Sequence, residues 1–151
     1  MQGFVKRALA VAAGVVVVRL ILEETGAPSW LVSVFGVTWL YLLVPFYFAI
    51  KVARSSETRP YVTLAKMSGS FVLVAASMVG VTYSLSSLFG FSAYRFTVEG
   101  GGVIGEGITP VQGYIVMPLS NFGLTALIGL VAAAVIGPIV LWMFRRYRAL
   151  N

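Results

Sequence analysis

The sequence contains neither cysteine nor histidine. Their absence removes disulfides, thiolate nucleophiles, Cys/His zinc sites and imidazole-ligated haem in one step. Charge is scarce as well: 11% of the residues are charged, against about a quarter in an ordinary soluble domain. Acidic residues are rarest, five against eleven basic ones, and none of either sign but Arg19 falls inside an apolar run. Proton and cation pathways generally need an intramembrane carboxylate or lysine, so the sequence offers no relay of that kind.

What the chain has in quantity is apolar length, with 59% hydrophobic residues. Residues 122–144 form an uncharged run of 23 residues closed by Arg145, Arg146 and Arg148. At 1.5 Å per residue such a helix reaches about 34 Å, enough for a hydrocarbon layer of roughly 30 Å. The same reasoning predicts an all-α membrane protein, one domain over residues 1–151, with four transmembrane helices at about 4–22, 30–50, 67–91 and 122–144. Residues 4–22 begin like a signal peptide, but Pro28 stands where cleavage would occur, which favours a retained first span. Pro45 lies within the second span, and Pro60 suits the first turn of the third helix.

Basic residues set the orientation. With both termini cytoplasmic, Lys6, Arg7, Lys51, Arg54, Arg59, Lys66, Arg145, Arg146 and Arg148 fall inside and only Arg19 and Arg95 outside. Lysine and arginine beside spans collect on the cytoplasmic side, so this arrangement is the expected one, in a prokaryotic cytoplasmic (inner) membrane. The same grouping at span ends accounts for the net charge of +6 without any nucleic acid, which would require a continuous basic surface.

Residues 92–120 break the apolar pattern with Gly100, Gly101, Gly102, Gly105, Gly107 and Gly113. Tyr94, Phe96 and Val98 alternate with polar neighbours, and residues 114–117 are a second strand candidate, so this external loop is expected to carry a small β-hairpin. Its apolar surface, including Tyr94, Phe96, Val98, Ile104 and Tyr114, exceeds what a lone hairpin hides and marks a candidate interface. The glycine run is no phosphate loop, for it lacks lysine and carries Glu106 where an anion would sit.

Small residues recur at four-residue spacing on two spans, Thr125, Gly129, Ala133 and Gly137 on the last and Ala76, Gly80 and Ser84 on the third. Such a stripe lets another backbone approach closely, either within the chain or from a partner. Arg19 lies one helical turn before Glu23 and reads as an interfacial anchor. Trp39, Tyr41 and Tyr83 are candidate pocket aromatics, but helix packing of such rings, which commonly just fill a core, is the favoured reading.

No base, nucleophile or ligand constellation stands out, so no catalytic, cofactor-binding or metal-ligating residues and no cofactor are expected. The expected function is a non-enzymatic accessory or structural subunit of a larger prokaryotic membrane protein complex, in contact with lipids and other membrane subunits. The alternative is a small homo-oligomeric channel or transporter for a neutral or anionic solute.

Overall fold

The computed structural model describes residues 2–150, without the side chains of residues 148–150; Met1 and Asn151, and the side chain of the expected basic anchor Arg148, lie outside that description. Among the described residues the long elements are all helices: α1 (Gln2–Glu24), α2 (Ser29–Val34), α3 (Val37–Ala53), α4 (Pro60–Phe89) and α5 (Met117–Leu150).

Among the described residues, three stretches are long and apolar enough to cross a membrane, Ser29–Ala53, Pro60–Phe89 and Gln112–Tyr147. The fourth expected span, in α1, is not among them. Every 18-residue window of α1 holds three or four charged residues, because Lys6 and Arg7 stand at one end and Arg19, Glu23 and Glu24 at the other.

The bundle is antiparallel. Gly137 faces Leu64, Gly129 faces Val72 and Gly80 faces Phe122, so α5 runs back along α4 over most of its length. Lys51 at the end of α3 lies 5.1 Å from the Phe4 ring centroid and 5.5 Å from that of Tyr47, which sets the start of α1 beside the end of α3. The core interlocks Tyr41, Phe48 and Phe71, with ring centroids 6.3–6.4 Å apart and planes nearly perpendicular. Ala12 and Val16 of α1 and Leu141 of α5 close around it. The outward faces are apolar too: Leu43, Leu88, Val131 and Trp142 are all more than half exposed. Water would penalise such a surface, whereas hydrocarbon is its natural solvent.

Two expected helices have different limits. The second span is interrupted at Phe35 and Gly36, where the Ser33 carbonyl accepts from the Gly36 N–H at 3.1 Å and the Trp39 indole N–H at 3.2 Å. These bonds take up a carbonyl that the broken helix would otherwise leave unpaired. α4 stops at Phe89 because Gly90 adopts a left-handed conformation, φ 68°, and donates its N–H to the Ser86 carbonyl at 2.8 Å.

The β-hairpin expected in the external loop does not form: among the described residues there is no strand, and Thr97 and Ile104 make only an isolated parallel bridge. Residues 94–96 are instead a 3₁₀ turn, and the chain folds back on it so that the Phe96 carbonyl accepts from the N–H groups of Val103, at 2.7 Å, and Ile104, at 2.8 Å. A side chain at Gly100 would overlap the Tyr94 carbonyl, and one at Gly102 the Phe96 carbonyl, so the glycines serve close backbone approach rather than strand pairing. The second strand candidate is helix. Thr109 and Gln112 cap its start reciprocally, the Thr109 N–H donating to Gln112 Oε1 at 2.9 Å and the Gln112 N–H to Thr109 Oγ1 at 3.3 Å. Residues 109–112 read Thr-Pro-Val-Gln, a capping box with proline at the first helical position. The helix passes through a π-helical turn at Gln112–Val116 before α5 proper.

Candidate functional site

A cluster of charged side chains lies where α1 ends against the turn-rich segment after α4. One helical turn separates Arg19 from Glu23, and Arg19 Nε donates to Glu23 Oε1 at 2.8 Å. Glu23 Oε2 lies 2.6 Å from Arg95 Nε, so one carboxylate bridges two guanidinium groups. This second contact is an ion pair by distance but is not aligned as a hydrogen bond, since Arg95 Nε and Nη2 are both buried without an aligned acceptor.

Glu24 holds the adjoining backbone. Its carboxylate accepts from the Ser92 N–H at 3.0 Å, the Ser92 hydroxyl at 3.1 Å and the Ala93 N–H at 2.9 Å. Burial works to raise its pKa, but these bonds and the charge of Arg95 outweigh it and hold the carboxyl below the ordinary value of 4.5. Burial pulls the Arg95 pKa below the ordinary arginine range; Glu23 opposes the drop, and Arg19 adds to it. Arginine stays charged even so. The Arg95 guanidinium also sits 4.3 Å from the ring centroid of Phe96 and 5.8 Å from that of Tyr83, which favours the cation where water is scarce. Phe96, fully buried, packs edge-on against Tyr83 at 5.2 Å.

Behind this cluster is a cavity of about 210 Å³. Arg19, Arg95, Tyr41, Tyr83 and Asn121 supply most of its polar wall, with Thr38 and Thr125 completing it; Val16, Val37 and Val79 are the apolar part. The helix break passes close by, since a Cβ at Gly36 would lie 3.7 Å from Arg19 Nη1 and 3.1 Å from the Ser33 carbonyl. Tyr41 is 2% exposed, and its hydroxyl has no hydrogen-bond partner. Asn121 donates through Nδ2 to the Met117 carbonyl at 3.0 Å, leaving its side-chain oxygen as acceptor. The wall is thus rich in donors, several of them charged or unsatisfied.

Of the aromatics singled out in the sequence, Tyr41 and Tyr83 meet at this cavity, while Trp39 is exposed and bonds to Ser33. The small-residue stripe of α5 is distributed along the bundle. Thr125 reaches the cavity; a Cβ at Gly129 would lie 2.7 Å from Val72 Cγ1; Ala133 is buried; Gly137 faces Leu64. On α4, Ala76 is fully buried, a Cβ at Gly80 would lie 3.3 Å from the Pro118 carbonyl, and the Ser84 hydroxyl donates to the Tyr114 carbonyl at 3.4 Å. The loop residues separate: Phe96 is buried and Ile104 half-buried, whereas Tyr94, 71% exposed, Val98 and Tyr114 face outward.

Sequence reasoning set Arg19 beside Glu23 through helical spacing, but it treated Arg95 only as a loop charge. No periodicity links positions so distant. The capping box at Thr109 and Gln112 was missed as well, although Thr-Pro-Val-Gln stands in the sequence as a motif that could have revealed it.

The fold defines a class: a membrane protein whose described residues form only helical elements, with three helices long and apolar enough to cross a bilayer. Comparison with protein-family models, curated proteins and solved structures finds no match to this chain.

Proposed function

We propose that this chain is a non-enzymatic accessory subunit of a larger prokaryotic membrane protein complex, seated in the cytoplasmic membrane with four spans and both termini inside. Support for α1 as the fourth span comes from its ends. Phe4 lies beside Lys51 and Glu24 beside Ser92, so α1 reaches between the same two levels as the longer helices. Its 23 residues extend about 34 Å, and its end charges can snorkel to the two interfaces around the uncharged residues 8–18. The end of the bundle carrying Lys6, Lys51, Lys66 and Arg145 is then cytoplasmic by the positive-inside rule.

The observation that carries the subunit role is an open groove of about 440 Å³ between α4 and the start of the α5 helix. Ser77, Gly80 and Ser84 form a small-residue floor, and Val81, Ile115 and Leu119 stand exposed along its sides. In a bilayer, a floor of small residues gains packing when another helix lies on it, and lipid tails fill such a shape poorly. The test is to purify the tagged full chain from its native membrane in mild detergent, beside Ser77→Leu, which fills the groove from an exposed position. A stoichiometric protein partner retained by the first and lost by the second is the expected result. A chain that purifies alone overturns the reading.

The arginine-lined cavity favours a second reading, a small homo-oligomeric channel or transporter for a neutral or anionic solute. Flux of a small anion into vesicles carrying the purified chain alone would support it.

A further inference from the structure

We propose that the cavity between α1, α3, α4 and α5, closed by Arg95, is a binding site for a phosphate-type oxyanion. The inference stands on the cavity itself and does not depend on the subunit reading.

Two of its wall residues carry donors without an aligned acceptor. Tyr41 is buried in the span with its hydroxyl unpaired, and Arg95 Nη2 is buried and equally unpaired. A buried polar group without a partner is costly, and an unpaired charged donor more so, which points to an acceptor that completes the set. The two guanidinium groups that reach the wall share one carboxylate, and Glu23 is not part of that wall. The second acid nearby, Glu24, directs its oxygens to Ser92 and Ala93. The cavity surface therefore presents two cations and no anion.

A single water satisfies few of these groups, and at roughly 30 Å³ per molecule the space of about 210 Å³ exceeds one water several times over. Planar guanidinium forks match the oxygen spacing of phosphate, and charge-assisted bonds to it are strongest where water is sparse. Tyr41 adds a neutral donor deeper in the bundle, where a ligand oxygen would meet little competition from solvent. Two sources share this chemistry, an anionic phospholipid headgroup and free inorganic phosphate.

The experiment uses the full chain, delipidated in neutral detergent, and follows its thermal unfolding with three probes: inorganic phosphate, phosphatidylglycerol and phosphatidylcholine in mixed micelles. Stabilisation by phosphate and by phosphatidylglycerol identifies a site open to the free ion; stabilisation by phosphatidylglycerol alone identifies a headgroup site. Tyr41→Phe keeps the ring on which Phe71 packs and removes only the hydroxyl, and Arg95→Lys keeps the charge and removes the fork. Each variant is expected to weaken apparent affinity about tenfold or more, the loss carried by one charge-assisted or desolvated hydrogen bond. Absence of stabilisation by both anionic probes overturns the proposal. So does equal stabilisation by phosphatidylcholine, or unchanged affinity in a correctly folded Tyr41→Phe together with Arg95→Lys.

Discussion

Glu23 and Arg95 meet at 2.6 Å, although one closes the first helix and the other lies in the turn-rich segment after the fourth. Through this contact the first helix is tied to the loop, and the same carboxylate holds Arg19. Glu23→Gln should leave both guanidinium groups without their counter-charge. We expect a loss of about 2 kcal/mol, below the roughly 3–5 for a wholly buried pair, because the Arg95 side chain remains 17% exposed. Reversible unfolding in mixed micelles measures it, and the double variant with Arg95→Gln should lose less than the two single losses combined. Strict additivity would show that the two side chains do not act on each other.

Glu24 makes part of the stability acid-sensitive. Its folded pKa is lowered, so its contribution is present above the unfolded value near 4.5 and disappears as pH falls through the lowered folded value. Unfolding temperature followed from about pH 7 to about pH 3 should drop over the acid end of that range, and Glu24→Gln should flatten part of the drop. An identical pH profile for the variant would rule out this linkage.

Gly129 sets how close α5 lies to α3 and α4. A Cβ there would lie 2.7 Å from Val72 Cγ1 and 3.1 Å from the Tyr41 ring, so Gly129→Leu must push helices apart. The expected cost is about 2 kcal/mol or more, while Leu127→Ala on the exposed face should cost about 0.5 kcal/mol or less. Comparable losses at the two positions would argue against close packing at Gly129.

Orientation is tested by reporter fusions. Fusions within residues 55–58 should read cytoplasmic and fusions near Gly102 external, given the concentration of basic residues at one end of the bundle. The same side for both would contradict the proposed topology.

Composition and run length by themselves determined that the chain is helical and apolar enough to cross a bilayer, because those properties depend on local hydropathy summed along one helix. They were also sufficient for Pro60 at the start of α4. The hairpin expected at residues 94–98 failed because alternation is only a local signal; the tight return of Val103 and Ile104 onto the Phe96 carbonyl puts that one ring in the core and leaves Tyr94 outside. The β-branched residues near 114 suggested a strand, yet the cap at Thr109 commits them to helix. Only tertiary structure decided the cavity. Arg19, Tyr41, Arg95 and Asn121 come from four separate segments, and they converge only through the packing of α1, α3, α5 and the segment after α4, which no one segment encodes.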